Sequence, residues 1–226
     1  MKPLLTFVVI LSLAASCDPT GDYIPPALGA EYFPLSTGSY IIYDVDSTSI
    51  SQNVETKYNY QLKLEVKSPF VNGAGKTSYV IQRQKRANQD APWTEAGTWS
   101  AWTDARSAVS VEGNQRFVRL QFPIKVGNVW NGNDLNSSGG EDDCNGNPCD
   151  RYEVSAIDPD VIVVQSDVED VLVKFDVRRE AYTKDIGLTY KEVTILEYCT
   201  AQNCFGNQFV DNGVKYIQTL AEHGGN

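Results

Sequence analysis

The stretch YNYQLKLEVK (58–67) sets the tightest limit on what this chain can fold into. Leu62, Leu64 and Val66 fall on one side of an extended backbone, and Gln61, Lys63 and Glu65 fall on the other. A helix would scatter these residues around its axis, whereas a strand with one dry face and one wet face sorts them cleanly. The same two-residue period returns in SYIIYDVD (39–46) and TSYVIQRQKR (77–86), and in SAVSVEG and RFVRLQF, which flank the turn signal Gly113-Asn114-Gln115. It continues through DVIVVQS, DVLVKFDVRREAYT, GLTYKEVTILEYC and VKYIQTLAEH, with Gly, Pro, Asn and Asp at the breaks. Even 164–171, where a short helix is conceivable, carries a valine pattern that suits a strand better. About ten to twelve strands at this spacing predict an all-β domain: an antiparallel curved sheet, an open barrel or a sandwich.

The chain opens differently. Lys2 precedes an apolar run from Leu4 to Ala15, too short for a bilayer span of roughly 20 residues but suited to the core of a secretory signal. Leu13-Ala14-Ala15-Ser16-Cys17 resembles the bacterial lipobox, with Ala14 where Leu is more usual. The resemblance implies cleavage before Cys17 and a diacylglycerol thioether on it, which with a further acyl chain holds a protein firmly to a membrane. On this reading residues 1–16 are a lipoprotein signal peptide, and 17–31 are the lipidated cysteine and a Pro- and Gly-rich tether. Residues 32–226 form a single β-rich domain. The partner so implied is the membrane itself, through Cys17. Asp18 directly after the cysteine resembles the inner-membrane retention signal of enterobacteria, whereas Asp18 and Asp22 together partly match the surface-export pattern of Bacteroidetes-type bacteria. The resemblance of the domain described below favours the outer membrane, with the periplasmic or outer face left open.

Location bears on the other cysteines. With Cys17 lipidated, Cys144, Cys149, Cys199 and Cys204 remain, in two C-x4-C pairs outside the cytoplasm. That favours disulfides over zinc. Of the three pairings open to four cysteines, the short ones, Cys144–Cys149 and Cys199–Cys204, suit tight turns. The acidic loop EDDCNGNPCD (141–150) starts like a calcium loop at Asp143, Asn145 and Asn147. Pro148 where glycine is needed and Val154 where glutamate is needed break that pattern, leaving at most a loose site from Asp142, Asp143 and Asp150. No metal and no cofactor is assigned. A formal charge of −10 argues against nucleic acid as a partner.

One motif occurs twice. FPLSTGSYI (33–41) and FPIKVGNVW (122–130) share F-P-[LI]-x-x-G, a device in which Phe anchors, Pro fixes the chain and Gly turns it into a strand. Either a duplicated half-domain or two uses of one turn explains the echo. EYFPLSTGSYIIYDVDS and EAYTKDIGLTYKE (180–192) resemble the opening and near-terminal segments of uncharacterised Bacteroidetes cell-envelope lipoproteins. That resemblance implies a β-rich lipoprotein domain and carries no activity or catalytic residue. Asp46-Ser47-Thr48 also matches the short O-glycosylation sequon of these bacteria.

Catalytic chemistry finds little footing. NGAGKTSYV (72–80) lacks the first glycine of a phosphate-binding loop, because Phe70 holds that place, so it predicts a hairpin turn. His223, the single histidine, sits near the C-terminus, where a frayed tail would serve catalysis badly. The leading expectation is a non-catalytic interaction or accessory module with an envelope protein partner. Its alternative is a small-ligand or glycan binder that uses a concave sheet and Trp93, Trp99 and Trp102. A carboxylate-based hydrolase, which needs two carboxyl groups across a cleft, comes third.

Overall fold

The computed structural model describes residues 29–225 apart from 138, 139, 141, 144–147 and 171. A single 3₁₀ turn (Ala30–Tyr32) leads into β1 (Tyr40–Ser51), β2 (Val54–Val71), β3 (Thr77–Arg86), β4 (Thr94–Thr103), β5 (Ser107–Glu112) and β6 (Gln115–Gln121). Then come β7 (Val129–Asn131), the two-residue β8 (Asp142–Asp143) and β9 (Pro148–Cys149), and β10 (Arg151–Ala156). Last are β11 (Val161–Asp170), β12 (Lys174–Thr183), β13 (Gly187–Tyr198) and β14 (Val210–Gly224). The strand predicted over 164–171 falls within β11 as far as Asp170.

Twelve strands make one antiparallel sheet in the order β6-β5-β4-β3-β2-β1-β14-β13-β12-β11-β10-β7, and β8 pairs with β9 apart from it. Every sheet neighbour is a neighbour in sequence except at the junction of β1 with β14 and where β7 meets β10. The sheet coils until its two edge strands meet, giving a nearly closed barrel. At this seam the Val118 amide donates to the Gly132 carbonyl at 2.8 Å, and Trp130 Nε1 donates to the Val118 carbonyl at 2.7 Å. Asn136 clamps the same edge, accepting from the Arg116 amide and donating to its carbonyl. Gly132 must be glycine here, because an added Cβ would lie 2.5 Å from the buried Tyr152 ring.

The twice-used motif stands at the head of each half of the barrel, before β1–β6 and before β7–β14, with six strands of the sheet in each. Both motif glycines take left-handed backbone (Gly38 φ 91°, Gly127 φ 83°), and each donates its amide to a neighbouring strand, at Val66 and Val154. Phe33 and Phe122 both pack against the largest core cluster, with Trp102, Leu120, Trp130 and Tyr182. Two-residue turns close β1–β2 at Gln52-Asn53 and β5–β6 at Gly113-Asn114, with all four residues at positive φ as the twist of hairpin strands requires.

Leu62, Leu64 and Val66 face the barrel interior as the alternation predicts, opposite Tyr43, Ile41 and Ile81 on the adjoining strands. The outward face carries the ion pairs Lys63–Glu65, Arg179–Asp167 and Lys215–Glu55.

Candidate functional site: a cavity ending on a buried charge cluster

A cavity of about 470 Å³ opens at the end of the barrel where β1 begins and β14 finishes. Its outer lining includes the exposed residues Ser36, Asp185, His223 and Gly225. Its walls are apolar, from Ile41, Leu62, Leu64, Val66, Ile81 and Leu188, with Trp99 among them. Its inner end is built from Glu112, Arg119, Glu180, Tyr182 and Lys191. The volume falls in the usual range for a small-molecule site.

Strand register explains how four charges meet there. Glu180 on β12 lies directly opposite Lys191 on β13. Arg119 stands two residues after Phe117 on β6, hence on the same face, and Phe117 pairs with Ser110 on β5. Arg119 donates from Nη2 to Glu112 at 2.7 Å, from Nη1 to Glu180 at 3.2 Å and from Nε to Ser110 at 3.0 Å. Lys191 Nζ donates to Glu180 at 3.0 Å, and the Tyr182 hydroxyl donates to the other Glu180 oxygen at 2.6 Å. The formal charges, Arg119 and Lys191 against Glu112 and Glu180, cancel.

Burial alone would push the Glu180 carboxyl up. The charges of Arg119 and Lys191 and the hydrogen bonds from Tyr182 and Lys191 outweigh it and hold the carboxyl down at about 2. Glu112 is likewise raised by burial but more strongly lowered by Arg119 and Lys191. Burial and the adjoining Glu180 charge push the Tyr182 hydroxyl well up, so it stays a neutral donor. A carboxylate pair that hydrolyses glycosides needs one member kept protonated. Here both carboxyls are held below the usual carboxylate range, and both accept from the same guanidinium.

The three tryptophans taken together from sequence go to three different places. Trp99 lines the cavity, with the Arg83 guanidinium stacked 3.8 Å from its centre. Trp102 is buried in the main core, and Trp93 is half-buried beneath Arg86. They form no common groove; three residues along a strand is an odd step, which turns Trp99 and Trp102 to opposite faces. Cys199 and Cys204 form a disulfide with Cα atoms 5.9 Å apart. Cys17, Cys144, residues 141 and 145–147 of the acidic loop, and the side chains of 142, 143, 148 and 149 lie outside what the structure describes.

His223 is no tail residue. It sits within β14 opposite Ile41, at the cavity rim. Ser47 of the sequon is half-buried in mid-β1, paired with both β2 and β14, a poor place for a glycan. Residues 72–76 form the expected turn, with Asn72 Oδ1 accepting from the amides of Ala74 and Lys76. Sequence reasoning missed the charge cluster entirely: Arg119 and Glu180 look like any other charged residue on a half-wet strand. Comparison with family models, curated proteins and solved structures finds no match for this chain.

Proposed function

We propose that the protein is a lipid-anchored envelope lipoprotein whose barrel binds a small amphiphilic molecule without transforming it. The observation that carries this reading is the apolar cavity, open at one end and closed at the other by self-neutralising buried charge. Binding sites of this kind combine apolar walls with a few fixed polar groups. The lipobox-like LAASC supports anchorage through Cys17, and the resemblance of EYFPLSTGSYIIYDVDS and EAYTKDIGLTYKE to Bacteroidetes envelope lipoproteins supports the outer membrane as its place. Eleven residues lie between Cys17 and Gly29, twelve residue steps with a reach of at most about 43 Å. The cavity rim, built partly from Ser36 and Ser39 just beyond that tether, would then lie near the bilayer surface.

The test is to purify the protein from its own membranes and extract it with organic solvent for mass spectrometry. A stoichiometric small molecule is expected, absent from an Ile81→Trp variant whose indole fills the cavity. An empty extract, together with no thermal shift from any amphiphile, would count against the reading.

A second reading, docking of an envelope protein, is favoured by the far end of the barrel. Val54, Val173 and Phe205 are exposed on neighbouring turns there. Cross-linking in intact cells from a photoreactive group at position 205 tests it.

A further inference from the structure

Resting on the ligand-binding reading above, we infer that the ligand's buried head is uncharged and both donates and accepts a hydrogen bond, as an alcohol or a primary amide does. Two atoms at the inner end of the cavity carry this inference. The Lys191 ammonium has three N–H bonds, and its one hydrogen-bond acceptor among the described residues is Glu180. Glu112 accepts from Arg119 and from Ser110 through the same oxygen, Oε1. Its Oε2 accepts no hydrogen bond among the described residues. Both side chains line the cavity and both are partly accessible, Lys191 at 23% and Glu112 at 18%. The inner end therefore offers one donor group, Lys191 with two N–H bonds to spare, and one acceptor atom, Glu112 Oε2, to whatever enters.

Charge then sets the sign of the head group. Two cations and two anions already balance in a site walled by Leu62, Leu64 and Ile81. A carboxylate would gain Lys191 but bring a third negative charge up against Glu112 in a poorly solvated space. An ammonium would gain Glu112 but face Lys191 and Arg119. A hydroxyl accepts from Lys191 Nζ and donates to Glu112 Oε2, leaving no charge unpaired. The apolar walls take its hydrocarbon body.

The experiment titrates the purified full-length protein in detergent with 1-decanol, decanoate and decylammonium at pH 7, each displacing a neutral solvatochromic dye from the cavity. Decanol is expected to bind at least tenfold more tightly than either ion. Glu112→Gln leaves the site with one excess positive charge and should move the preference toward decanoate. Lys191→Met leaves one excess negative charge and should move it toward decylammonium. The ranking in the unmodified protein decides the matter even if a variant fails to fold. If decanoate or decylammonium equals or exceeds decanol there, the inference is overturned while ligand binding stands. If neither the dye nor any of the three compounds binds, the ligand-binding reading itself falls, and this inference with it.

Discussion

Replacing Arg119 with methionine removes the one group that, among the described residues, hydrogen-bonds both buried carboxylates. Methionine keeps much of the length and apolar volume of the side chain, so the loss is mainly electrostatic. Glu180, 1% exposed, would keep Lys191 and Tyr182, and Glu112 would keep Ser110. Breaking one partner out of a buried ion pair costs roughly 3–5 kcal/mol, since it leaves buried charge uncompensated. Glu112 borders the cavity and can recruit water, so most of the cost falls on Glu180. For a domain of this size such a loss moves a urea midpoint by roughly 1–2 M. Equilibrium unfolding followed by tryptophan fluorescence is the assay. The pH dependence carries a sign that simple packing loss would not reproduce. Without Arg119, burial drives the Glu180 carboxyl upward, so protonation relieves the variant and its deficit shrinks between pH 7 and pH 5. Adding Glu180→Gln should recover at least about 1 kcal/mol relative to the sum of the single changes, as expected for directly coupled residues. A deficit below about 1 kcal/mol, a deficit that does not vary with pH, or strict additivity would refute the account of the cluster.

Four further outcomes follow from the same structure. In the unmodified protein Glu180 lies below its unfolded value of 4.5, at about 2. Its contribution, roughly 3 kcal/mol, is thus whole above pH 4.5 and lost as pH falls toward 2, a loss that Glu180→Gln should abolish in acid titrations followed by circular dichroism. Gly132→Ala should destabilise the seam by about 1–3 kcal/mol through overpacking against Tyr152, seen as faster hydrogen exchange at Val118 and Gly132. Reducing or replacing Cys199 and Cys204 should lower stability by about 2 kcal/mol while leaving cavity binding unchanged, measured by thermal melts with and without reductant. Cys17→Ser should release the protein from the membrane fraction on cell fractionation, and continued membrane attachment would overturn the anchor.

The strands were readable because the chain alternates wherever one face is wet. Gln61-Leu62-Lys63-Leu64-Glu65 has one orientation that hides its leucines, and β2 adopts it. Gly113-Asn114 announced its hairpin for a local reason, since both residues tolerate positive φ. The cavity could not be read the same way. In RFVRLQF, Arg119 shares a face with Phe117, and alternation alone assigns that face to water or to the interior with equal ease. What decides it is the arrival of Glu180 and Lys191 from strands more than fifty residues later, information held in pairing rather than in any local stretch. The seam is invisible for a similar reason, resting on backbone contacts between Val118 and Gly132. The tryptophan segment was the reverse: local density suggested a cluster, while the odd spacing of Trp99 and Trp102 already divided them.

The junction of β1 with β14 governs the order of assembly. Each half of the barrel can build from hairpins between successive strands, but the middle of the sheet joins Tyr40 to Gly224. The strand made first therefore keeps an unpaired edge of twelve residues until the strand made last arrives. Such distant pairing places folding in the slow, millisecond-to-second class of β-topologies. Through that interval an open edge is exposed to other chains. A protein built this way gains from being kept apart from its copies until β14 has paired with β1.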